Sequence, residues 1–139
     1  MKETLIKGVY HGTDVFFEKF DFKVGGTNFG EVDSDGVVYA TDLFTEAKQV
    51  AHPVERDALI MKFDIVLKNP MIVDGARTEK QRSFGKAGYS KLIRIARENK
   101  CDSVIIKNII DYSAEPQTTY ILFKDEQIVQ SSIRYLSGI

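Results

Sequence analysis

Two histidines, one cysteine and twenty acidic side chains are the stock from which this 139-residue chain could build a reactive site. His11 ends an apolar run and is followed at once by Gly12, whose missing side chain lets a ligand approach the main chain closely. The plainest reading of His11 is a satisfied polar residue at a strand end. Tyr39 offers an aromatic face with a hydroxyl handle, suited to stacking on a planar heterocycle. Each feature is weak alone.

Other patterns imitate known sites. Glu31, Asp33, Asp35 and Gly36, with Asp42 at the final position, copy the oxygen spacing of a calcium loop. Such a loop opens on Asp, closes on a bidentate Glu and sits between helices, so a solvated acidic turn is the better reading. Gly25, Gly26 and Gly30 lack G-x-G-x-x-G spacing and no Gly-Lys-Ser/Thr follows, which excludes a P-loop but leaves a lip over a ligand. No pair among His11, His52 and Cys101 has the spacing of zinc ligands, and no metal is expected. Cys101 with His11 stays open as a nucleophilic pair, beside the plainer reading of a small buried residue.

The elements that position these residues follow from periodicity. Leu5 to His11 reads as a strand, and Val37-Val38-Tyr39 as a short one. Asp42 looks like the N-cap of a helix running through Glu46, Ala47 and Val50 to His52-Pro53. From Leu59 to Lys68 the apolar Met61, Phe63, Ile65 and Leu67 alternate with polar partners, a half-buried strand. Asn69-Pro70 turns the chain into Met71-Ile72-Val73. Tyr89, Leu92, Ile93 and Ala96 share one side of a helix ending near Lys100. Strands follow at Asp102 to Lys107, Thr118 to Phe123 and Ile133 to Leu136. Strands are separated by irregular chain more often than by helices, so the class is α+β.

A length of 139 residues implies a single domain, 1–139. Lys+Arg 19 against Asp+Glu 20 leaves a net charge of -1, which argues against a general nucleic-acid coat. One cysteine excludes a disulfide framework. No apolar stretch approaches the ~20 residues that span a bilayer, and the first residues lack a secretory core. A cytoplasmic protein without membrane contact is expected.

Taken in order, the motifs resemble the ADP-ribosyltransferase superfamily. Tyr10-His11-Gly12-Thr13 is similar to its first-strand (Y/W)-H-G-(T/S) motif, and Asp14 to Phe22 to the aromatic segment that follows it. Gly36-Val37-Val38-Tyr39-Ala40-Thr41-Asp42 resembles the second motif of the poly(ADP-ribose)-polymerase-like branch. Leu67 to Asp74, Cys101 to Asn108, and Tyr120 to Ile128 resemble later segments of small bacterial and phage members. The likeness runs from Val9 to Ser131.

The resemblance implies two facing, mostly antiparallel sheets enclosing an NAD+ cleft, with a few helices. It implies cleavage between nicotinamide and ribose through an oxocarbenium-like transition state, with ADP-ribose passing to an acceptor or to water. His11 would bond ribose hydroxyls, Gly12 the carboxamide, and Tyr39 would stack on the nicotinamide ring. Thr13 would support the strand or a ribose contact. A second stacking aromatic would fall near Val50, with Phe44 or Phe29 as substitutes.

The third motif position departs from the family. Where a Glu normally precedes the tyrosine stands Thr119, which carries no charge. Three explanations stay open: Gln117 or Glu115 enters the site through a bulge or slip; the acceptor supplies the carboxylate; or the domain is degenerate and only binds a nucleotide or protein. The expected protein is a toxin-like bacterial or phage effector, a mono-ADP-ribosyltransferase or NAD glycohydrolase. Its acceptor would be protein rather than nucleic acid, with specificity set by Arg77 to Gly88.

Overall fold

The alternation from Leu59 onward forms a strand, and Met61, Phe63, Ile65 and Leu67 are all buried on one face of it. The computed structural model describes residues 3–13, 37–50, 59–75, 86–109 and 115–137. In chain order these give β1 (Thr4–Thr13), β2 (Val38–Thr41), α1 (Phe44–Val50), β3 (Leu59–Leu67) and β4 (Pro70–Asp74). Then come α2 (Lys86–Glu98), β5 (Ser103–Ile109), β6 (Gln117–Leu122) and β7 (Arg134–Ser137). Short 3-10 turns at Asp125–Gln127 and Gln130–Ser132 join the last two strands. The class is mixed α+β with few helices, as the sequence implies.

The seven strands form one sheet, in the order β4-β5-β6-β2-β1-β3-β7, rather than two separate sheets. Only the β4–β5 pair is parallel, and α2 lies between these strands in sequence, as the crossover a parallel pair requires. In a flat sheet β3 and β4 would stand five strand spacings apart, about 24 Å. Yet Leu67 ends β3 and Pro70 begins β4, and three Cα steps reach at most about 11 Å. The sheet therefore curls until its two halves face each other.

Asp102 fastens that corner. Its carboxylate accepts from the amides of Lys68 (2.7 Å) and Asn69 (3.0 Å) and from the Ser103 hydroxyl (2.9 Å). Its own amide donates to the Asn69 carbonyl, and its carbonyl accepts from Gln127 Nε2. Gln127 Oε1 in turn accepts from the amides of Phe123 and Lys124.

The curl makes an inner and an outer core. Inside, Val9, Phe63, Ile65 and Leu67 from one half form a single cluster with Val38, Ala40, Ile105 and Leu122 from the other. Outside, Tyr89, Ile93 and Ala96 of α2 pack on Val104, Ile106 and Ile121. On the other half's outer face, Ala47 of α1 packs on Ile60, with Tyr10 and Leu136 around it. The two helices thus flank the seam between the halves.

Asp42 does not cap α1. Its carboxylate accepts from the amide of Thr118, fixing the entry of β6, while Leu43 provides the carbonyl for the first helical amides. No helix among the described residues is long and apolar enough to cross a membrane.

Candidate functional site

The seam is the joint between β1 and β2. These strands register on one another at a single position among the described residues, Tyr10↔Thr41. Continued regularly, the register would set His11 against Ala40 and Gly12 against Tyr39. Instead the His11 ring spans the interval: Nδ1 lies 2.6 Å from the Tyr39 carbonyl oxygen. A carbonyl can only accept, so Nδ1 carries the proton, and in the neutral ring Nε2 is the acceptor nitrogen. Burial pushes the imidazole below its ordinary pKa, opposed by the bond to Tyr39. His11 is therefore neutral at pH 7.

Strand alternation separates the two motif side chains. His11 sits opposite Met61, on the inner face, whereas Tyr39 sits opposite Ile121, on the outer face under α2. The half-buried Tyr39 ring lies 5.5 Å from the Tyr89 ring, inclined at 50°. The histidine and the tyrosine thus meet through imidazole and main chain, not ring to ring. Gly12 is buried opposite Ile60, and Thr13 ends the strand opposite Leu59.

Next to Tyr39 on the outer face is a buried polar chain. The Thr41 hydroxyl donates to Gln117 Oε1 (2.5 Å), and Gln117 Nε2 donates to the Thr119 hydroxyl oxygen (2.7 Å). Thr41 Oγ1 also accepts from the amide of Leu43, which ties the start of α1 to this chain. Thr41 and Thr119 face each other across the β2–β6 pair, and Gln117 follows on the same face two residues away. These three side chains are 4–6% exposed.

The remaining candidates are dispersed. Glu115 is exposed, ahead of β6, and accepts from the Thr45 hydroxyl at 3.1 Å. Phe44 starts α1 and meets the Tyr10 ring edge-on at 5.6 Å. Val50 ends α1. Phe29, the aromatic segment Asp14 to Phe22, the glycine cluster and most of Arg77 to Gly88 lie outside the described residues. Cys101 sits where α2 meets β5, with Sγ 4.0 Å from the Asn99 carbonyl, and packs on the outer cluster.

Sequence reasoning passed over Thr41 and Glu46. Thr41 stands in the same short motif as Tyr39, two residues on, which was signal enough to place it on Tyr39's face. Glu46, read only as a residue the helix runs through, is 4% exposed.

No protein-family model, curated protein or solved structure matches the chain.

Proposed function

We propose that the chain is an NAD+-cleaving domain of the ADP-ribosyltransferase type, a mono-ADP-ribosyltransferase or NAD glycohydrolase working at the β1–β2 seam. The observation that carries this reading is the adjacency of the motif strands, although His11 and Tyr39 project from opposite faces of the sheet. The motif residues His11, Tyr39 and Thr119 are far apart in sequence, yet they lie on β1, β2 and β6, three consecutive strands. A sheet whose halves fold toward each other agrees with the two facing sheets that the resemblance implies.

Each residue has a task its geometry suits. Neutral His11, held by its Nδ1–H on the Tyr39 carbonyl, turns Nε2 into an acceptor for a ribose hydroxyl. In this reading the main chain of Gly12, where β1 and β2 have ceased to register, takes the carboxamide. The Tyr39 ring, backed by Tyr89, gives a planar surface at the flank of α2 for the nicotinamide.

One observation favours the second reading, a module that binds nucleotide without cleaving it. On β6 the Thr119 hydroxyl accepts from Gln117, and the Gln117 amide bonds threonine hydroxyls at both ends, with no carboxylate among them. A single assay separates the readings. Purified protein incubated with NAD+ should release nicotinamide, and His11→Ala should abolish release. Transfer of label to protein in a lysate would identify a transferase. Stabilisation by NAD+ without release would establish the binding module. Neither effect would end both readings.

A further inference from the structure

We propose that the outer surface of the β1–β3–β7 half binds single-stranded nucleic acid, with a backbone phosphate between Lys62 and Arg134 and a base on the Phe44 ring. The site stands apart from the NAD+-cleaving reading and needs neither His11 nor Tyr39.

The surface is one row across three strands. Tyr10 of β1 is opposite Lys62 of β3, and Lys62 is opposite Arg134 of β7. Lys62 Nζ lies 5.5 Å from the centre of the Tyr10 ring. The Phe44 ring of α1 meets the same ring from 5.6 Å at an angle of 82°. Phe44 is therefore no more than about 11 Å from the Lys62 ammonium, within the reach of one nucleotide. Phe44 is 37% exposed, and Arg134 is exposed as well.

The backbone is shaped around Lys62. β1 bulges between Ile6 and Val9, and Gly8 takes φ +73° there. A Cβ on Gly8 would come within 3.2 Å of Lys62 Cε, so the glycine clears the path of the lysine stem toward Tyr10.

Stability does not explain the two cations. Like charges directly opposite one another on a sheet repel. Neither Lys62 nor Arg134 forms an ion pair. Asp64, which shares the face of Lys62 two residues on, accepts from the Gly8 amide at 3.0 Å instead. Two neighbouring cations without a carboxylate call for an anion from outside the chain.

The exposed ring selects among anions. An acidic peptide would answer the charges and leave Phe44 uncovered, whereas a single strand offers a phosphate and an unpaired planar base together. A net charge of -1 excludes a coat over the whole surface, not a site of this size.

Fluorescence anisotropy of a labelled oligothymidylate, titrated with the full chain over a series of salt concentrations, tests the site. Binding should saturate at low salt and weaken as salt rises. Lys62→Gln and Arg134→Gln should each reduce the slope of log affinity against log salt by about 0.7. Phe44→Leu should weaken binding at least about fivefold and leave the slope unchanged. Lys91→Gln, an exposed cation on α2, should change neither. If Phe44→Leu lowers Tm, the slope of the exposed Arg134→Gln still decides the outcome. No binding at low salt would overturn the proposal, and so would Lys91→Gln reducing the slope as much as Lys62→Gln and Arg134→Gln do. An unchanged affinity in Phe44→Leu would also overturn it. Oligoglutamate binding as tightly as the strand would replace it with an acidic-peptide site.

Discussion

Replacing Asp102 by alanine should open the corner that holds the two half-sheets together. The substitution deletes an ionised acceptor of three hydrogen bonds, from Lys68, Asn69 and Ser103. A bond to a charged group contributes about 1.5–3 kcal/mol when its donor is otherwise left dry. Lys68 is exposed and Asp102 only half-buried, so water replaces part of the loss. The low end for two of the three bonds gives about 3 kcal/mol, which in a chain of this size lowers Tm by about 10 °C. The pH dependence supplies a second reading of the same contact. Burial acts to raise the Asp102 pKa, but the Lys68 and Asn69 amides and the Ser103 and Gln127 side chains outweigh it and hold it below the usual carboxylate range. A depressed folded-state pKa stabilises the fold fully above the unfolded value of about 3.9 and progressively less as pH falls through the folded value. Thermal unfolding by circular dichroism at pH 7 and along an acid series measures both effects. Asp102→Ala should melt lower at pH 7 and lose stability less steeply below pH about 4. A Tm within about 2 °C of the unsubstituted protein, or an unchanged acid limb, would show that the clamp does not hold the corner.

Two further outcomes concern the site. Gln117→Leu leaves the buried Thr41 and Thr119 hydroxyls without their amide partner, a loss of about 2–4 kcal/mol that urea unfolding should register as a lower midpoint. The His11 ring should titrate below its ordinary value of about 6.5 by NMR, because burial disfavours the imidazolium. The unfolded chain then binds a proton the folded one refuses. Stability attributable to His11 should therefore fall as pH drops from about 6.5 toward the folded value, and His11→Gln should remove that slope. A midpoint at or above 6.5 contradicts the burial argument.

Local periodicity carried the elements and little of their arrangement. The alternation of Met61, Phe63, Ile65 and Leu67 identified β3 and its buried face, and the spacing of Tyr89, Ile93 and Ala96 did the same for α2. Sequence order hid the sheet order. Two residues, Lys68 and Asn69, link strands at positions six and one, which a reader of local pattern takes for a simple turn. Asp42 showed the same limit: a capping residue type by composition, its carboxylate accepts from the amide of Thr118, 76 residues away. Parity did survive folding. Gln117, two residues from Thr119, shares its face and bonds it, because the alternation of a strand is local while the partner of a side chain is not.

The family-like segments divide accordingly into two kinds. Asn69, Asp102, Ser103 and Gln127 come from three of them, and their hydrogen bonds meet at the corner where the sheet folds over. They build the curl, and nothing in their geometry asks for a ligand. His11, Gly12 and Tyr39 gather instead at the seam, where β1 and β2 register at one pair and an imidazole takes the place of a ladder bond. A sheet does not gain stability by giving up pairing in its centre, so the unregistered stretch has to be offset by the corner clamp and the two cores. The Thr41–Gln117–Thr119 chain belongs with the scaffold, since its side chains are buried and bonded to one another across the β2–β6 pair.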